Sequence, residues 1–150
     1  MAHTLDTRTG ARSAVSSTSF LGSSAAYQAY IVLYVGFLAL PILAGLDKFF
    51  HLFVNWDQYL APQATQILPL SAHTFMLVVG VIEIAAGVLV ALYPRVGAYV
   101  VMLWLWGIVV NLLLIPGFYD IALRDFGLSL GALALARLSH DFGNAHWIGP

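Results

Sequence analysis

The chain has 150 residues, of which 61% are hydrophobic and only 9% charged, with a formal net charge of -1 and no cysteine. An ordinary soluble domain carries roughly 25% charged residues. With a mean hydropathy of +0.87, this composition excludes a water-soluble globule and implies one domain of a few helices that fold with lipid as solvent. The near-neutral charge gives no basis for nucleic-acid binding. The lack of cysteine removes thiol catalysis, disulfide exchange and thiolate metal sites from the chain itself, so a redox role would require a bound cofactor or another subunit.

Residues 1–26 are rich in Ser, Thr, Ala and Gly, include Arg8 and Arg12, and have no hydrophobic period. They read as a flexible cytoplasmic tail. An Arg- and Ser-rich, acid-poor start is also the composition of an organellar transit peptide, whereas no apolar core of a secretory signal is visible. Residues 27–50 are long and apolar enough to cross a hydrocarbon core of about 30 Å. Pro41 interrupts this first span, and Lys48 follows it on the same face as Ala44.

Residues 51–69 are too polar to span. Trp56 and Tyr59 carry amphipathic rings of the kind that anchor at the membrane–water interface. A short interfacial helix followed by a Pro-bounded loop is expected here. A second span covers 74–92, and the turn at Tyr93, Pro94 and Arg95 leads at once into a third, 96–115, so the two should be antiparallel neighbours. Pro116 and Gly117 break the third span. A fourth is expected over 119–138, with Gly127, Gly131 and Ala134 as a small-residue face, followed by a polar tail over 139–150 that holds His140 and His146.

The expected architecture is therefore all-α: an integral membrane four-helix bundle in residues 27–138, with a short interfacial helix between spans one and two. Arg8, Arg12, Arg95 and Arg137 all flank one side. The positive-inside rule makes that side, and both termini, cytoplasmic, and the expected location is a bacterial cytoplasmic (inner) membrane.

The second span contains one carboxylate, Glu83, in an otherwise apolar run, TFMLVVGVIEIAAGVLVAL. A charge at the centre of a bilayer costs roughly 2.5–3.5 kcal/mol on insertion scales, so such a side chain faces inward and finds a partner. Met76, Gly80, Glu83 and Gly87 share one helical face, where the glycines allow a neighbouring helix to approach closely. Lys48 and Arg124 are the cations whose long side chains could reach Glu83, and Asn111 and Asp125 complete an intramembrane polar cluster in the outer half. Two readings stay open: an ion pair that holds helix register, or a polar pocket opening outward with Glu83 as proton acceptor or ligand anchor. His51 and His73 lie by the outer interface and could ligate a metal or haem iron. The sequence displays nothing that completes such a site, so no metal is assigned. Trp104 and Trp106 read as packing residues, and the solute-carrier reading has no inverted repeat behind it.

Three stretches, AGLDKFF (44–50), VGVIEIAAGVLV (79–90) and FYDIALRDFGLSLGALALARL (118–138), resemble the DoxX-like family of small four-helix membrane proteins. The resemblance spans residues 27–138, with Lys48, Glu83 and Arg124 at the family's charged positions. It implies a four-helix integral membrane protein, and for some members a place as a subunit of a quinone-reducing oxidoreductase or a membrane redox complex. The expectation is thus an accessory subunit of an electron-transfer complex, surrounded by lipid and by other membrane subunits. No cofactor is expected in this chain alone, and quinone is the candidate ligand of the alternative reading, a quinone-interacting oxidoreductase subunit.

Overall fold

The computed structural model describes residues 24–67 and 70–143, and these are helical with no strand among them. The expected N-terminal tail up to residue 23, Pro69, and the end of the expected C-terminal tail from residue 144, including His146, lie outside the described residues. The helices are α1 (Ala25–Phe50), α2 (Pro62–Ile67), α3 (Ala72–Leu92), α4 (Pro94–Leu113) and α5 (Tyr119–Phe142). A 3-10 turn, Trp56–Tyr59, precedes α2 in the α1–α3 connection.

Local chemistry explains the boundaries. Ser24 and Ser71 cap α1 and α3, their hydroxyls accepting from the amides of Tyr27 and Thr74. Pro94 opens α4 at a position where its missing N–H costs nothing. α1 runs on through Pro41, which leaves the Phe37 carbonyl without its usual intrahelical donor. α1 ends at His51, which adopts the left-handed conformation (φ 53°) and donates its backbone N–H to the Asp47 carbonyl. α5 continues to Phe142, beyond the residue-138 boundary expected for the fourth span.

Three helices, α1, α3 and α4, are long and apolar enough to cross a membrane. α5 has the length, but Asp120, Arg124 and Asp125 near its start and Arg137 and Asp141 near its end leave an uncharged centre shorter than the roughly 20 residues of a full span. It nevertheless packs along α4. At one end Ala122 meets Val109 and Leu112. Towards the other, Ala132, Leu135 and Ala136 join Ala98 and Val101 in a core with Tyr30, Phe37, Ala86 and Val90.

The face that α5 buries differs from the expected one. Ala122, Ser129, Ala132, Ala136 and Ser139 are buried, Gly131 meets the Phe37 ring, and Gly127 has open space beside it. Alanine and serine, spaced by three and four, provide the narrow seam that glycine was expected to provide.

α1 and α3 form the second close pair. A Cβ built on Gly45 would lie 2.6 Å from the Gly80 carbonyl oxygen, and one built on Gly80 would lie 2.8 Å from that of Gly45. Backbone therefore meets backbone, and only glycine fits. The start of α1, the α3–α4 turn and the end of α5 share one end of the bundle: Tyr27 packs edge-on against Phe142, and the Tyr34 hydroxyl donates to the Ala91 carbonyl at 3.1 Å. The connection over residues 51–67 closes the opposite end.

Candidate functional site

The glycine contact determines what comes next along both helices. Lys48 lies one turn beyond Gly45 on α1 and Glu83 one turn beyond Gly80 on the antiparallel α3, on opposite sides of the crossing, and the long Lys48 side chain reaches back across it to Glu83. The Lys48 Nζ donates to Glu83 Oε2 at 2.5 Å, with the two side chains 2% and 10% exposed. A second Lys48 contact reaches the Ala44 carbonyl at 3.5 Å. The ammonium also sits 3.7 Å from the centre of the Trp56 ring, a cation–π contact that strengthens where water is excluded. Of the two cations that could have reached Glu83, the structure pairs Lys48. Arg124 instead pairs with Asp120 one turn back along α5 at 3.2 Å, and both of those side chains are about 70% exposed.

Trp56 is held in place by a neighbour of Lys48. The buried Asp47 carboxylate accepts from the Trp56 indole N–H at 2.7 Å and from the backbone amides of Leu52 and Phe53 at 2.8 and 3.1 Å. Asp47 thus ties the chain leaving α1 into a tight turn. Asn111 holds the following stretch: its amide donates to the Tyr59 carbonyl at 2.6 Å, and its carbonyl oxygen accepts from the Ala61 amide at 3.0 Å. Both polar ends of Asn111 are spent on backbone, which makes it a clasp for the connection.

As a result Trp56 and Tyr59 differ from simple outward anchors. Each is only partly exposed, Trp56 over Lys48 and Tyr59 edge-on to Phe118. Phe50 and Phe53 present their rings outward at this end.

Beneath this roof lies a cavity of about 650 Å³, inside the usual range of roughly 300–1,000 Å³ for small-molecule sites. Its walls are mostly apolar, with Phe37, Pro41, Met76, Val101 and Leu128 among them, and it runs between the Tyr30–Leu135 core and the smaller Leu112 cluster. All five residues of the polar cluster, Lys48, Glu83, Asn111, Arg124 and Asp125, reach its lining. Only Lys48 and Glu83 bond to each other.

Trp104, which the sequence marks as a packing residue, also lines the cavity, and its buried indole N–H is directed at the Glu83 carboxylate without closing to a well-formed hydrogen bond. A ligand acceptor entering the cavity would share or take over this donor from Glu83. The spacing of Trp104 with Asn111 on α4 was the only sequence signal for it. Trp106 faces outward and packs edge-on against Phe126.

A different group lies on the outer side of the roof. The rings of His51 and His73 stack at 5.3 Å, and Asp57, in the 3-10 turn, stands beside them with its Oδ2 3.6 Å from His73 Nδ1. Asp57 is the third polar group that the sequence, read in order, left unconnected to the two histidines.

Comparison of the chain with protein families, with curated proteins and with solved structures finds no match. The geometry therefore carries the functional reading.

Proposed function

We propose that the chain is a four-span membrane protein of the DoxX-like type that binds a quinone-class ligand as a subunit of a membrane electron-transfer complex. The observation that carries this reading is the cavity, apolar along its walls and furnished at one side with the Trp104 N–H and the Lys48 ammonium, both grouped around Glu83. A quinone is a flat apolar ring with carbonyl acceptors and a greasy tail. Its ring suits the aromatic and aliphatic lining, and its carbonyl oxygens suit donors that have capacity left. Electrons would come from a partner subunit, since the chain supplies binding groups and no thiol.

The topology of this reading has α5 as the fourth span, lying along α4, and the connection over residues 51–67 at the outer membrane surface. Arg95 and Arg137 stand towards the same end of the bundle as the start of α1, which supports cytoplasmic termini in a bacterial inner membrane.

The test is titration of the purified protein in detergent with a short-tailed quinone analogue, read by quenching of tryptophan fluorescence. Saturable quenching is expected, with at least tenfold weaker binding in Trp104→Phe, which keeps the ring and removes the donor. Quenching no stronger than that from an alkyl chain lacking the ring would overturn the ligand assignment.

A second reading is favoured by one observation. Lys48 and Glu83 satisfy each other at a glycine crossing, as a purely register-holding pair in an accessory subunit would. Under that reading the analogue does not bind, yet gentle extraction from the native membrane still yields the chain within a larger assembly.

A further inference from the structure

We propose that His51, Asp57 and His73 form a binding site for a divalent transition-metal ion of the zinc type on the outer side of the cavity roof. The donor atoms of the three side chains all lie within 4.8 Å of one another. Around a tetrahedral ion with bonds of about 2.0–2.2 Å, donors stand roughly 3.3–3.6 Å apart. The Asp57–His73 separation of 3.6 Å already has this spacing, and a tilt of the His51 ring out of its 22° stack with His73 brings in the third donor.

Each ligand is positioned by something other than the site. His51 terminates α1 and is held by its backbone bond to Asp47. His73 lies in the first turn of α3 behind the Ser71 cap. Asp57 belongs to a 3-10 turn pinned on one side by the Trp56–Asp47 bond and on the other by the Asn111 clasp.

A second observation points to a cation. The Asp57 Oδ1 is buried with no hydrogen-bond partner, so one carboxylate oxygen lacks the donor that burial demands. An ion bound through Oδ2, the oxygen that faces His73, also attracts this second oxygen of the same carboxylate. The His73 side chain is 54% exposed and that of Asp57 31% exposed, which leaves an approach for the ion and an open coordination position for water.

Two imidazoles with one carboxylate favour borderline dications such as Zn(II) or Co(II). The set is too rich in nitrogen for Mg(II) and lacks the sulfur that soft Cu(I) prefers. The carbonyl end of α1 favours a cation and the amide end of α3 opposes it, so the charge on Asp57 tips the balance. An ion held here joins the end of α1, the 3-10 turn and the start of α3, and so ties down the segment that roofs the cavity.

The experiment uses the 150-residue chain, purified in detergent without a polyhistidine tag, stripped with chelator and titrated with Zn(II), Co(II) or Mg(II). One Zn(II) per chain is expected, with a rise in unfolding temperature that Mg(II) does not produce. Co(II) should give a visible absorption band of a low-symmetry nitrogen–oxygen site. His73→Ala and Asp57→Asn should each weaken Zn(II) binding at least tenfold and abolish the thermal shift, while their metal-free unfolding stays near that of the parent. A His3→Ala, His140→Ala, His146→Ala triple variant should bind as the parent does. Unchanged affinity in His73→Ala, or loss of the ion in the triple variant, would overturn the proposal.

Discussion

Two pairs of opposite charge, similar in sequence and both drawn from polar positions in or beside apolar helices, end in different surroundings. Lys48 and Glu83 are 35 residues apart in the chain, meet at 2.5 Å and are almost wholly buried. Arg124 and Asp120 are one helical turn apart, meet at 3.2 Å and stay mostly exposed. The first pair bridges two helices that Gly45 and Gly80 let into backbone contact. The second forms within a single helix and needs no tertiary contact. Charge type therefore says little about energetic weight; burial and the availability of a second partner decide it. Breaking a buried pair from one side strands a charge, whereas an exposed pair is screened and its members can turn outward.

The largest expected effect comes from separating the buried pair. Glu83→Gln should destabilise the protein by about 3–5 kcal/mol, because the Lys48 ammonium is left in a dry environment. Adding Lys48→Met should recover part of the loss, while adding Arg124→Met should leave it unchanged. Unfolding in detergent for the single and double variants measures both couplings. Coupling of Glu83 to Arg124 in place of Lys48 would break the contrast between the pairs.

Next in size is the crossing that the buried pair bridges. Gly45→Ala and Gly80→Ala place a methyl within 3 Å of a backbone oxygen and should each cost about 1–3 kcal/mol through forced separation of the helices. Gly127→Ala, which meets nothing within 4 Å, should instead be neutral or stabilising by up to about 1 kcal/mol. Equal outcomes at Gly80 and Gly127 would show that the seam is slack. Asn111→Leu removes both halves of the clasp and should cost roughly 1–3 kcal/mol. It should also raise the hydrogen-exchange rate of the Ala61 amide, which separates a loosened roof from a general loss of stability.

The smallest effect is expected at the exposed pair. Arg124→Gln should change stability by about 0.3–0.5 kcal/mol, the usual scale of an exposed pair one turn apart on a helix. A much larger loss would mean that Arg124 acts on the cavity, whose wall it also reaches.

Much of this arrangement is legible in the sequence. Long apolar runs separated by Pro94 and Pro116 marked the helices, because backbone in lipid must satisfy its own hydrogen bonds. The period that placed Met76, Gly80, Glu83 and Gly87 on one face marked the side that α3 buries. The face of α5 was legible only in outline. Glycine, alanine and serine can all allow close packing, and a one-residue rotation decides which of them does.

By itself, then, the sequence determined an apolar helical chain with one inward-facing acid, since burial of apolar surface and the cost of a lone charge are local properties of each segment. Only the tertiary structure decided that Lys48 is the partner, that Asn111 holds backbone, that the Trp104 N–H turns towards Glu83 in the cavity wall, and that Asp57 stands beside His51 and His73. Each of those depends on where two helices cross or where a loop returns, and such contacts between distant residues leave no period in the chain.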